Sequence, residues 1–153
     1  ADENIHDEIV ENLQDLLVKN YDASEMFAKA MEKSQSHNLK NYLKRQAAQR
    51  SHFATEITDE LRQLNEEPKE KGSFSGGLHR TWIDLKTALS SNKDEAILEE
   101  CIRGEKASVE EYEDKLEKFN FPPRISNVLH KQSQEIHKTL NQVRHLEDLA
   151  ELE

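Results

Sequence analysis

The chain has 153 residues, enough for one domain with a real core. Its 31 acidic residues outweigh 21 Lys and Arg, for a net charge of −10. That weighs against nucleic acid and against anionic membrane surfaces, because both need clustered basic charge.

No apolar run is long enough to span a bilayer. No charged-then-apolar leader opens the chain, although Ala1-Asp2-Glu3 is compatible with a trimmed end. Charged residues at 34% and apolar ones at 35%, with four glycines and three prolines, describe a soluble, helix-rich protein. Cys101 is the single cysteine, which fits a reducing, cytoplasmic setting.

From Glu3 to about Ser34, Ile5, Ile9, Leu13, Leu16, Ala23, Phe27 and Ala30 recur at steps of three and four or their sums. This is one face of a long helix, with Asn20 in a slot on the same face and Asn4 with Asp7 as a cap at its start. Leu17, Ala28 and Met31 offer a second apolar strip, on which a homodimer is expected. After a turn at Ser34–His37, a second helix is expected from about Asn38 to Asn65, along Leu39, Leu43, Gln46, Arg50, Phe53, Ile57, Leu61 and Leu64. The short turn makes the two helices antiparallel neighbours.

Glu66 to Ser75, with Pro68 and Gly72, breaks the pattern as a loop. A short helix is expected from Gly76 to about Ser90, with the stripe Leu78, Trp82, Leu85 and Leu89. It reads as a lid on one flank, with Trp82 as its anchor. Asn92 and Glu95 form a capping-box variant that starts a third long helix, running to about Phe119. Pro122-Pro123 ends it and opens the fourth, to about Ala150, along Ile125, Leu129, Gln132, Ile136, Leu140, Val143 and Leu146. Four long helices with one long crossover carrying an extra short helix make an all-α, ferritin-like four-helix bundle, a single domain over residues 1–153.

Asp22 to Glu32, Arg50-Ser51-His52-Phe53, Leu78-His79-Arg80-Thr81-Trp82 and Gly104-Glu105 through Tyr112 together resemble a bacterial ferritin-like four-helix-bundle family of unknown function. The resemblance implies the fold and a bacterial source. It implies no activity.

Glu105 lies on the apolar seam Cys101, Glu105, Val109 and Tyr112, directly after Gly104. A glycine inside a helix costs about 1 kcal/mol against alanine, and an unpartnered buried carboxylate costs several kcal/mol. Arg50 and Asn20 also fall near mid-helix, and Gln132 lies about one turn from the middle of its own. These four side chains are expected to meet in one buried polar layer, with Arg50 bonded to Glu105 and Asn20 or Gln132 completing it. Gly104 then makes room for a neighbouring helix or for the guanidinium.

A ferritin-like di-iron site needs a Glu-x-x-His on each of two helices. No long helix here carries one at the mid-helix level of these four residues. His130 and His137 fall on an outer face, while Cys101, Tyr42 and Tyr112 read as packing residues. The leading expectation is therefore a metal-free bundle with a structural, interaction or stress-associated role, without cofactor or catalysis. One alternative is an iron-handling or oxidase protein with atypical ligands drawn from Glu25, His52, Glu56 and Glu105. Another is a small-molecule binder with a pocket under the lid. The sequence names no protein partner.

Overall fold

The computed structural model describes residues 2–72 and 80–152. Its helices are α1 (Asp2–Lys33), α2 (His37–Gln63), α3 (Ile83–Leu89), α4 (Asp94–Lys118) and α5 (Pro123–Gln142). Two 3-10 segments, Arg80–Trp82 and Leu146–Leu152, complete the order, and no strand occurs among the described residues. None of the described helices is long and apolar enough to cross a membrane.

The connection between α1 and α2 is only Ser34–Ser36, so the two run antiparallel and pack along each other. Ser36 caps α2, its hydroxyl accepting from the Leu39 N–H at 3.3 Å. The carboxylate of Asp94, at the start of α4, accepts from the N–H groups of Gln35 and Ser36 at 2.8 and 2.7 Å. It ties this turn to the other half of the molecule. α2 closes in a Schellman motif: Glu66 N–H donates to Leu61 C=O and Asn65 N–H to Arg62 C=O, with Asn65 left-handed at φ 61°.

Three ends differ from the sequence expectation. α1 begins at Asp2, so Asn4 and Asp7 lie inside it and cap nothing. At α4 the flanking residue is Lys93, with no side-chain cap, while Asn92 takes φ 56° and turns the chain into the helix. α5 stops at Gln142, short of Ala150, because the Asp148 carboxylate takes the N–H groups of Arg144 and His145 at 2.8 and 2.9 Å. The chain then folds back and buries Val143 and Leu149. The first part of the expected lid helix, with Leu78, lies outside the described residues; its remainder is the turn Arg80–Trp82 and α3.

The apolar interior falls into two clusters. One gathers the second half of α1 and the first half of α2 with Trp82, Leu85, Leu89, Ile97 and Cys101. The other gathers the first half of α1 and the second half of α2 with Val109, Tyr112, Ile125, Leu129 and Ile136. Leu17, on the strip proposed for a dimer, is fully buried in this second cluster, and Met31 packs against the first. Leu17 is thus spent on the core, while Ala28 and Met31 keep part of their surface exposed.

Candidate functional site

Asn20, Arg50 and Glu105 sit where the two apolar clusters meet. Each lies between a residue of one cluster and a residue of the other along its own helix: Leu17 and Ala23, Leu43 and Phe53, Cys101 and Val109. Asn20, Arg50, Glu105 and Gln132 expose no more than 1% of their surface.

Arg50 donates from Nη2 to Glu105 Oε1 at 2.5 Å and from Nη1 to Asn20 Oδ1 at 3.1 Å. Asn20 Nδ2 donates to Leu16 C=O, the usual back-bond of a polar residue inside a helix, and to the Tyr112 hydroxyl at 2.9 Å. Tyr112 donates to Gln132 Oε1 at 2.7 Å. Gln132 Nε2 in turn donates to Phe53 C=O at 3.3 Å and to Glu56 Oε1 at 3.1 Å. The bonds run one way, from the guanidinium through an amide, a phenol and a second amide to a half-buried carboxylate. All four long helices contribute.

Tyr112 is the member that the sequence reading assigned to packing. It stands seven residues after Glu105, two turns along the same face. That spacing was the available signal. Its hydroxyl joins Asn20 to Gln132, and burial pushes its pKa up to about 12, so it stays a neutral donor.

Burial also pushes Glu105 above the ordinary carboxylate range; the charge and hydrogen bond of Arg50 pull it back only in part. Glu105 Oε2 and Arg50 Nε are buried without a hydrogen-bond partner. Cys101, one turn before Glu105, is fully buried, and its thiol is held well above its usual pKa by desolvation and by the nearby carboxylates. An inert neutral thiol is the consequence.

Gly104 does not face the guanidinium. A Cβ at that position would stand 2.1 Å from Trp82 Cζ3 and 2.4 Å from Cη2. The missing side chain admits the lid anchor instead. Trp82 is 2% exposed, and its ring meets Phe27 edge-on at 5.3 Å between centroids. The indole is thus packed into the core beneath the lid. A groove of about 730 Å³ lies between α4 and the C-terminal turn, lined by Leu98, Ile102, Arg103, Arg144, Leu146 and their neighbours. It shares no lining residue with the polar layer.

The four alternative metal ligands do not converge as a group. Glu25 is exposed and paired with Lys29 at 3.3 Å. Exposed His52 lies 3.8 Å from Glu56, and Glu105 is held by Arg50 in the core. No group of three or more His, Cys, Asp or Glu side chains converges among the described residues. Around the Glu105 carboxylate the layer offers two amides, a phenol and a permanent cation, and its second carboxylate, Glu56, stands at the far end of the bond chain, a donor set that does not fit a transition metal.

A search of curated proteins gives no match to the chain. One family model matches residues 8–118, from the first turns of α1 to the end of α4. The matched stretch holds Asn20, Arg50, Glu105 and Tyr112, while Gln132 lies beyond it. It covers well over half of the chain, which therefore belongs to the family described as Domain of unknown function (DUF2383).

Proposed function

We propose that this protein is a ferritin-like four-helix bundle of bacterial origin, a single domain working in the cytoplasm. Its role is structural or interaction-based, including under stress, and it neither holds a metal nor catalyses a reaction. The observation that carries this reading is the Arg50–Glu105 bond in the centre of the helices. A ferritin-like protein with a metal centre keeps its inward carboxylates and imidazoles at that level. Here the carboxylate at that level, Glu105, is neutralised by a guanidinium, which is charged at every workable pH. A metal ion beside it would face strong repulsion in a poorly screened interior. The lone buried cysteine supports the reducing compartment.

Elemental analysis tests the proposal. Protein incubated with Fe(II), Zn(II) or Mn(II) and then dialysed is expected to retain far less than one ion per chain. Near-stoichiometric retention that disappears in Glu105→Gln would overturn the reading, because it would put the ion on the carboxylate assigned to Arg50.

A further inference from the structure

The outer surface of α5 differs in charge from the rest of the molecule. Between Phe119 and Leu146 the chain carries four Lys or Arg and one acidic residue, Glu135, within a protein of net charge −10. Arg124, Asn127, Lys131, Gln134, Lys138 and Asn141 follow one another at steps of three and four, and all six are exposed. They form a straight stripe in which cations alternate with amides, the cations about 10.5 Å apart along the axis. The buried side of the helix is spent on the core through Ile125, Leu129, Gln132 and Ile136.

The complement lies on the neighbouring helix. Glu110, Glu113 and Glu117 of α4 are exposed and carry the same three-then-four spacing. None of them, nor Lys131 or Lys138, has an ion-pair partner within the chain among the described residues; Arg124 reaches Glu60 at 3.3 Å. α4 and α5 are joined by a tight corner and pack along each other, and the Tyr112–Gln132 bond fixes their relative height. Glu113 is one residue from Tyr112, and Lys131 is one residue from Gln132. The acidic and basic stripes are therefore centred at the same level on adjacent antiparallel helices.

A surface of this kind is self-complementary. A two-fold axis at the level of Tyr112–Gln132 sets the basic stripe of one copy against the acidic stripe of the other, twice over, as an isologous contact requires. We infer that α4 and α5 form a salt-sensitive homodimer interface, with Lys131 and Lys138 of each copy facing Glu110, Glu113 and Glu117 of the other. The occupant is a second copy, because this chain itself supplies charges of the right sign, spacing and height. Exposed ion pairs are individually weak and the copies repel at long range, so the contact is a transient one.

Sedimentation equilibrium decides the matter. The wild type is expected to show a monomer–dimer equilibrium at about 50 mM salt, weakened at least about tenfold at 0.5 M. Lys131→Glu/Lys138→Glu and Glu110→Lys/Glu113→Lys/Glu117→Lys are each expected to stay monomeric at low salt, and an equimolar mixture of the two to dimerise. Lys44→Glu/Arg45→Glu, an exposed pair on α2, matches the first variant in net charge and is expected to dimerise as the wild type does. Far-UV circular dichroism checks that every variant is folded, and glutamine at the same positions replaces any that is not. A wild type that stays monomeric at low salt would overturn the inference, as would a mixture that fails to associate. So would open-ended polymers, or capture of anionic vesicles or duplex DNA by the α5 stripe of a monomer.

Discussion

Breaking the central ion pair from its two sides should give unequal results. Arg50→Leu strands Glu105, which has no solvent exposure, and removes the donor to Asn20 Oδ1. The expected loss is ~3–5 kcal/mol for the unpaired charge, with roughly 1 kcal/mol more for the orphaned amide oxygen. Glu105→Leu strands a guanidinium that is 1% exposed, at a similar cost. The two then diverge with pH. Glu105 already has a raised pKa from burial, and loss of Arg50 raises it further. A carboxyl with a higher pKa folded than unfolded binds more protons in the folded state throughout that window. Its share of stability is therefore complete below the unfolded value and is lost as pH rises through the folded one. Arg50→Leu should regain stability on going from pH 8 to pH 5, relative to wild type. Glu105→Leu should not, because Arg50 cannot shed its proton. The double variant removes both charges and should lie within about 2 kcal/mol of wild type, a coupling of several kcal/mol. Urea unfolding followed by circular dichroism at the two pH values measures all four proteins. Single losses that add to within about 0.5 kcal/mol, or an acid recovery in Glu105→Leu equal to that in Arg50→Leu, would refute the reasoning.

Other perturbations follow from the same contacts. Tyr112→Phe removes the hydroxyl between Asn20 and Gln132 and should cost ~1–3 kcal/mol in urea unfolding, with a further loss when Gln132→Leu is added, because the bonds to Phe53 C=O and Glu56 then go too. Gly104→Ala drives a Cβ into the Trp82 ring and should cost ~1–3 kcal/mol or more, with a red shift in tryptophan emission as the lid lifts. Asp15 is pushed up by burial but pulled further down by Lys115 and Lys19, at 2.9 and 3.0 Å, so its net pKa lies below the usual value of a free aspartate. Its contribution is present above that value and lost as pH falls through the folded one. Asp15→Asn should flatten the acid limb of the stability profile relative to wild type.

Periodicity made the long helices legible because each has a wide apolar face that tertiary packing then uses. It also marked the exceptions on those faces: Asn20, Arg50, Glu105 and Gln132 stand where leucine would serve, and all four are buried. Helix ends were less legible, since they depend on single bonds. Nothing local says that Asp148 will capture the N–H groups of Arg144 and His145 and stop α5. Asn92 has the composition of a cap yet adopts a left-handed turn. Tyr112 was hidden by its dual nature, because a phenol fills an apolar seam as well as it donates a hydrogen bond. Gly104 announced a close approach, but its partner Trp82 reaches it across a connection whose path periodicity does not determine.

The polar layer is better understood as a constraint on pairing than as a source of stability, and that view has its own test. An ion pair in the core roughly repays its desolvation and no more. Apolar seams with steps of three and four tolerate sliding by one heptad, about 10.5 Å, with most contacts replaced by equivalent ones. The layer does not tolerate it. Its bonds pass from α2 to α1 and α4, from α1 to α4, from α4 to α5 and from α5 back to α2, a closed circuit through every long helix. A slip or rotation of the α4–α5 pair against α1–α2 leaves Glu105 and Arg50 both unpaired, the costliest outcome available to this core. We therefore predict that Arg50→Leu/Glu105→Leu, although near wild type in unfolding free energy, loses uniqueness. Its amide NMR spectrum should show extra resonances for α4 and α5, and hydrogen exchange there should be faster than its global stability allows. A single sharp set of resonances with wild-type protection in the double variant would mean that apolar packing alone fixes the register, and the layer would then have no role in specifying the fold.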